Sequence, residues 1–269
     1  MITLTLKEPL SIPAEADCIT PDNLHDKSRD DILRQTVYWG NKKLTIGDLF
    51  TVEGERAEHI TVVTGECDKV KLIGHKMSRG AIHIKGSAGY NTGSYMTGGT
   101  LTIDGNARDY LGAMMEGGVI VLKGDAGHFL GGAYKGETSG MTGGEIFVHG
   151  SAGHETGGFM RRGFIVVGGD TGDFPGLFML AGTLLVLGQA GVRVGANMKR
   201  GSVVLTRPPE RMLPSFVYNS LLRSPAVNLV MKRASAMGFN VPMNPVFRRY
   251  SGDVNTVGKG ELLVLEPPQ

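Results

Sequence analysis

The side chains with most chemical potential in this 269-residue sequence are seven histidines, two cysteines and a run of arginines towards the C-terminus. His149 and His154 stand five residues apart with Glu155 beside them, the nearest approach to a zinc pair. No Cys-x-x-Cys or His-Glu-x-x-His pattern accompanies them. The other histidines, His25, His59, His75, His83 and His128, are dispersed. Cys18 and Cys67 lack metal-type spacing and suit a reducing compartment, where thiols pack as small apolar groups; the alternative is a disulfide between them. Glycoside hydrolysis needs two facing carboxylates, but Asp104 and Asp125 do not occupy equivalent places in the nineteen-residue repeat that dominates the chain. The row that does align, Asp104, Lys123, His149 and Gly168, is mixed in charge. No Gly-x-Ser-x-Gly elbow or phosphate loop is present. These residues predict neither a catalytic site nor a metal site in this chain.

What positions them is that repeat. Glycine makes up 41 of the residues, and 33 of those lie between Cys67 and Thr206. Units open at Cys67, Gly86, Gly105, Gly124, Gly150, Gly169 and Gly188, a spacing of nineteen apart from one unit with seven additional residues. Ten residues into each stands a methionine, Met77, Met96, Met115, Met141, Met160, Met179 and Met198, with Met141 displaced by the insertion, and three residues later another glycine. Two apolar columns follow, from Ile82/Ile84 to Val203/Leu205. Apolar residues two apart share one face of a strand, and glycines at fixed offsets permit tight corners. The expectation is an all-β parallel β-helix, a solenoid of seven 19-residue coils, with the methionines stacked in its core.

Such a rod needs its ends covered. Residues 1–66 are expected to form an N-terminal capping segment, 67–206 the solenoid, and 207–269 a basic helical cap with a final strand. In the first segment, Asp30 to Thr36 reads as a short helix, and Leu49 to Val52 and Ile60 to Val63 as strands. In the last, Ser224-Pro225 is a helix start and Gly238 a stop, so the spacing predicts a helix over Pro225 to Met237 whose apolar side lies over the last coil. A shorter helix is read over Phe216 to Arg223, and a strand over Gly260 to Leu265. The three parts carry net charges of −5, +3 and +4. The overall balance, with no stripe of interleaved arginines and aromatics, argues against a nucleic-acid partner. No apolar run is long enough to span a membrane, and the amino terminus has no signal-peptide pattern, which predicts a cytoplasmic protein.

The break in the repeat, Gly132 to Gly140, projects as a loop. Tyr134, Lys135 and Glu137 on it are candidate partner contacts, the alternative being a tolerated bulge.

The phrase Gly-x-x-Met-x-x-Gly-x-[Ile/Leu]-x-[Ile/Val]-x-Gly, whole from Gly74, Gly93, Gly112, Gly157 and Gly176, resembles the C subunits of formylmethanofuran dehydrogenases. So do Ala133-Tyr134-Lys135-Gly136 and the tail Tyr250-Ser251-Gly252-Asp253. The solenoid is also similar to the C-terminal domain of the glutamate synthase large subunit, so fold alone does not assign function. The resemblance implies a non-catalytic scaffold subunit. Its favoured setting is the bacterial formyltransferase/hydrolase complex, which converts formyltetrahydromethanopterin to formate through a methanofuran-type carrier. The alternative is a tungsten or molybdenum formylmethanofuran dehydrogenase. In either case no cofactor is expected in this chain; carrier, tetrahydromethanopterin and metal belong to partner subunits, which are hydrolase-like, dehydrogenase-B-like and formyltransferase chains. Carriers of this type bear polyglutamate, which makes Arg248 and Arg249 candidate carrier-binding residues. A stand-alone carbohydrate-active enzyme is the reading from another class.

Overall fold

A computed structural model describes residues 1–54, 59–65 and 69–267. Cys67, expected to open the first unit, lies outside the described residues. The N-terminal part comprises β1 (Ile2–Leu6), β2 (Ala14–Glu15), α1 (Pro21–Leu24), α2 (Arg29–Leu33), β3 (Thr36–Trp39), β4 (Lys42–Thr45), α3 (Ile46–Leu49), β5 (Phe50–Gly54), β6 (His59–Gly65) and β7 (Val70–Lys71). The repeats supply β8 (Ala81–Gly86), β9 (Thr100–Ile103), β10 (Val119–Leu122), β11 (Glu145–Val148), β12 (Phe164–Val167), β13 (Thr183–Val186) and β14 (Arg200–Leu205). The tail adds β15 (Val217–Leu222), α4 (Pro225–Ala236), β16 (Phe247–Gly252) and β17 (Lys259–Leu265).

The strand pairing corrects the expected all-β parallel β-helix with separate caps. The chain forms a mixed 13-stranded sheet, ordered β15-β16-β17-β14-β13-β12-β11-β10-β9-β8-β6-β1-β5, with a second sheet of four strands, β4-β3-β2-β7, and short helices. The nineteen-residue period fixes the parallel register of the central strands, as in Ile82↔Leu101 and Val186↔Leu205. It carries no information about the edges. There the flanking segments bring strands of their own: β5 runs antiparallel to β1, and β15 and β16 are antiparallel to their neighbours. The sheet therefore grows at both ends through these strands. Phe216 to Arg223, read as helix, is the edge strand β15, and α2 ends at Leu33, with Thr36 already opening β3.

Inside the repeats, methionine and glycine interlock. All seven methionines of the column are fully buried. The terminal methyl of each of several lies where a Cβ on the later glycine of the next unit would stand: Met77 Cε would be 2.3 Å from a Cβ at Gly99, and Met115 Cε 2.6 Å from one at Gly144. Those glycines also have φ of +77° and +88°, a region costly for other residues. The pair of columns is thus one packing device, in which an unbranched side chain fills the space a missing side chain leaves.

The sheet has two apolar faces over part of its length. The inner columns, such as Ile120, Ile146, Ile165 and Leu184, join one core shared with the N-terminal part, while Phe147, Val166, Leu185 and Val204 join a second beneath α4. Helix α4 starts as expected: Ser224 accepts a hydrogen bond from Val227 N, and Pro225 occupies its first turn. Its buried residues Val227, Met231 and Ala234 lie across the outer face of β11 to β14 rather than over the last repeat alone. Phe239, just beyond the helix, stacks on His149 at 4.3 Å. A Cβ at Gly168 would come within 3.1 Å of the Phe239 ring, so the smallest residue of the mixed row makes room for that docking.

Candidate functional site

Polar side chains line the corners of the repeats in two ladders. In the first, Ser87, Asn106, Asp125, Ser151 and Asp170 each accept a hydrogen bond from the backbone N–H of the next unit, at 2.7 to 3.2 Å. In the second, Asp109, His128, His154 and Asp173 do the same, at 2.8 to 3.0 Å. Because the Nδ1 atoms of His128 and His154 accept these bonds, each neutral ring carries its proton on Nε2. Between the ladders runs a shallow groove of about 430 Å³, floored by Ala88, Ala107 and Ala126. His149 and His154, the pair considered for zinc, are turned to different partners: His149 stacks on Phe239 and His154 on His128 at 4.8 Å. Among the described residues, no three His, Cys, Asp or Glu side chains gather as a metal-binding set.

The mixed row resolves into an ion-paired group. Asp104 takes Lys123 Nζ at 2.7 Å and His83 Nε2 at 2.8 Å, and the Lys123 bond, with that of His83, holds its carboxyl below the usual range. His149 is held below the ordinary imidazole value by burial, with the nearby Lys123 charge adding to it. Cys18 is a free thiol, pushed up to about 12 by burial and then by the Asp17 charge, and therefore protonated and unreactive at neutral pH.

The insertion folds back on the molecule. Tyr134 donates to Asn91 Oδ1 at 3.1 Å and packs between Tyr95 and Tyr110, with ring centroids at 5.8 and 5.1 Å; Tyr110 in turn stacks on Phe129 at 4.6 Å. Burial raises the Tyr134 hydroxyl above its ordinary value, so it acts as a neutral hydrogen-bond donor. Lys135 and Glu137 stay exposed at the tip. Tyr134 is thus an anchor for the loop, and Lys135 and Glu137 are what the loop presents.

Arg248 and Arg249 are not brought together. They alternate along β16, so they leave opposite faces of the sheet. Arg248 is paired with Glu266 through two hydrogen bonds, and Arg249 Nε lies 2.9 Å from a Glu261 carboxylate that also accepts from Ser202. Arg233, another basic residue of the tail, pairs with Glu145 at 2.8 Å over the Phe147 ring.

Two features have no counterpart among the sequence motifs. The first is a pair of columns in which ordinary residues hold positive φ, among them Tyr95, Tyr110, Phe129, Phe159, Phe174 and Phe178; their identities vary, so no periodic signal marks them. The second is a set of cations, Arg161, Arg162, Lys199 and Arg200, directly after Met160 and Met198, where other units have Thr97-Gly98 and Glu116-Gly117. Aligning the units on methionine exposes that difference.

This geometry is shared from end to end with known proteins. The family model described as the GXGXG motif matches residues 51–231. The corresponding C subunit of a tungsten-containing formylmethanofuran dehydrogenase 2, from Methanococcus maripaludis, is 46% identical over 263 residues, 97% of this chain and 95% of that protein. The chain belongs to the C-subunit family of formylmethanofuran dehydrogenases. With another relative in this family, from the molybdenum-containing enzyme 1 of Methanosarcina barkeri, the likeness is 37% over 92 residues, covering 33% of this chain and 31% of the relative. The same architecture also appears in a chain of the formyltransferase/hydrolase complex (FhcABCD) of Methylorubrum extorquens, crystallised with methylofuran. It superposes with a TM-score of 0.91 at 32% identity, over 98% of this chain and 100% of that one.

Proposed function

We propose that this chain is a non-catalytic scaffold subunit of a formyltransferase/hydrolase complex that converts formyltetrahydromethanopterin to formate by way of a formylmethanofuran-type carrier. The observation that carries this reading is the full-length superposition on a chain of such a complex, including the edge strands and α4 as well as the repeats. The side-chain arrangement agrees with it. The acids and bases of the corner ladders are used as backbone acceptors, and the arginines considered for the carrier are ion-paired. Metal, carrier and tetrahydromethanopterin chemistry is assigned to hydrolase-like, dehydrogenase-B-like and formyltransferase partners, in the cytoplasm. No helix among the described residues is long and apolar enough to cross a membrane.

The Methanococcus maripaludis relative supports a second reading, the C subunit of a tungsten or molybdenum formylmethanofuran dehydrogenase. Co-expression of this chain with each candidate subunit set, followed by purification and assay, separates the two. The first reading expects a complex that releases formate from formyltetrahydromethanopterin without tungsten or molybdenum. Failure to co-purify with hydrolase-like and formyltransferase subunits overturns it, and co-purification with a metal-pterin subunit supports the second.

A further inference from the structure

Arg233, Arg248 and Arg249 of the tail each have an acid of their own, whereas the cations after Met160 and Met198 do not. Arg161, Arg162, Lys199 and Arg200 are all exposed, and none has a side-chain ion pair or hydrogen bond to a described residue. The backbone places them in one ridge. Arg161 follows Met160, whose carbonyl accepts from Leu180 N; Met179 O accepts from Lys199 N in the following repeat. Arg200 then pairs with Lys259 as direct neighbours in β14 and β17. At about 4.8 Å per strand, the ridge runs roughly 14 Å from Arg161 to Lys259. The segment between, Leu180-Ala181, adds no acid. The carboxylates beside Lys259 are engaged elsewhere: Glu261 with Arg249, and Asp253 with the backbone N–H groups of Asn197 and Asn255.

Alongside this ridge runs an apolar line. Phe159 and Phe178 stack at 4.9 Å, and Phe178 is 40% exposed although both hold positive φ, 59° and 52°. Further along, the turn after β16 packs on the last repeat: Thr256 donates to Met198 O at 2.7 Å, which sets Val254 and Val257, both more than half exposed, beyond the repeat that follows Phe178. A bulky residue at such φ costs on the order of 1 kcal/mol, and asparagine takes the equivalent place at Asn197 at lower cost. Two rings kept on a costly backbone and turned partly to water point to a use for the rings.

We infer that this corner is a docking surface for a partner protein of the same complex, with an apolar centre on Phe159, Phe178 and Val257 and a rim of Asp and Glu side chains against Arg161, Arg162, Lys199, Arg200 and Lys259. Apolar centre and polar rim is the ordinary anatomy of a specific interface, and charge complementarity selects the partner's sign. A second copy of this chain meeting the corner symmetrically would set the cations against one another. The inference rests on the assembly proposed above.

The test uses the co-expressed complex. Zero-length carbodiimide coupling should join Lys199 or Lys259 to an Asp or Glu of another subunit, read by mass spectrometry. The double variant Arg161→Glu/Arg200→Glu should weaken assembly at least about tenfold and make its remaining loss with salt shallower, because salt screens the new repulsion, while Lys42→Glu/Lys43→Glu on β4, with the same charge change, leaves it unaltered. Arg161→Lys/Arg200→Lys should restore assembly, which excludes a folding defect as the cause. Coupling to other lysines but not to Lys199 or Lys259, coupling to this chain's own acids, or a charge reversal that assembles like the wild type overturns the inference. A wild-type chain that joins no complex overturns the proposed function as well, so the two failures are told apart by the wild type.

Discussion

The two halves of the repeat region carry the same period but use it differently. In the first half, β9 and β10 bury only their inner residues: Thr102 and Val121 are partly exposed on the outer face, and Asp104, His83 and Lys123 form a surface ion-paired group there. In the second half, β11 to β14 bury both faces, because Phe147, Val166, Leu185 and Val204 occupy the outer column and α4 covers them. The corners differ as well. Gly98, Gly117 and Gly143 sit so close to the preceding repeat that a Cβ at Gly143 would lie 2.1 Å from Glu116 O, yet the equivalent places later hold Arg162, Ala181 and Arg200. One repeat therefore supplies the frame, and departures from it decide which surfaces are packed by this chain and which stay open.

Charge in the outer column should break the likeness most sharply. Val166→Asp places a carboxylate beneath α4 and is expected to cost at least about 3 kcal/mol, since an unpaired buried charge has no compensating partner. Thr102→Asp, the same column on the open half, should stay within about 0.5 kcal/mol. Urea unfolding of the two variants measures the difference, and equal losses would mean that α4 does not cover the second half in solution. The corners come next. Gly143→Ala should lose about 1–3 kcal/mol through overpacking against the Glu116 carbonyl, whereas Arg162→Ala at the equivalent place should change stability by less than about 0.5 kcal/mol. Similar effects at the two positions would show that the corners relax alike.

How much of this was legible in the sequence follows from which features are periodic. The Met/Gly lock and the inner apolar columns recur in every unit, and the period is the register of the central sheet. The edges could not be read this way. Phe216 to Arg223 looked helical by composition, but its backbone is taken up by pairing with β16, a long-range contact no local pattern encodes. The start of α4 was legible because Ser224 and Pro225 act locally. Its place over four strands was not, although the outer residues Phe147, Val166, Leu185 and Val204 are apolar where Thr102 is polar. At the site, the insertion marked Tyr134, Lys135 and Glu137, but whether Tyr134 points outward or folds onto Tyr95 and Tyr110 depends on neighbours in the preceding repeats. Arg248 and Arg249 drew attention by charge, and only the pairing of Glu261 and Glu266 shows that charge to be balanced. The ridge at Arg161 and Arg200 is hidden for the opposite reason: its cations are separated in sequence and meet through the repeat.

The insertion, at the join of the two halves, gives a smaller test. Tyr134→Ala removes the contacts with Tyr95 and Tyr110 and the bond to Asn91, and should cost about 1–2 kcal/mol. Tyr134→Phe, which keeps the ring, should lose about 0.5–1 kcal/mol. If both variants are neutral, the loop is not anchored there and Tyr134 is free to join Lys135 at the tip.

The smallest effect is a pH dependence with two windows. His149, where Phe239 docks, has a folded pKa below its ordinary value of 6.5 because burial disfavours the charged ring and Lys123 adds to that. Below that ordinary value the unfolded chain therefore binds the proton more readily than the folded one, and acid favours unfolding. The His149 contribution is complete above about pH 6.5 and is lost as the pH falls through the lowered folded value. Asp104 on the open half has the opposite chemistry but the same direction: its carboxyl is held below 3.8, chiefly by Lys123, so its contribution is lost only in stronger acid. His75, lowered by burial and by Lys76, shares the His149 window. Thermal midpoints should fall between about pH 7.5 and 5.5, and His149→Phe, which retains an aromatic ring against Phe239 without a titrating group, should make that fall shallower without abolishing it. An unchanged slope would mean that the ring at position 149 protonates as freely in the folded chain as in the unfolded one, and that the α4 segment does not shield it.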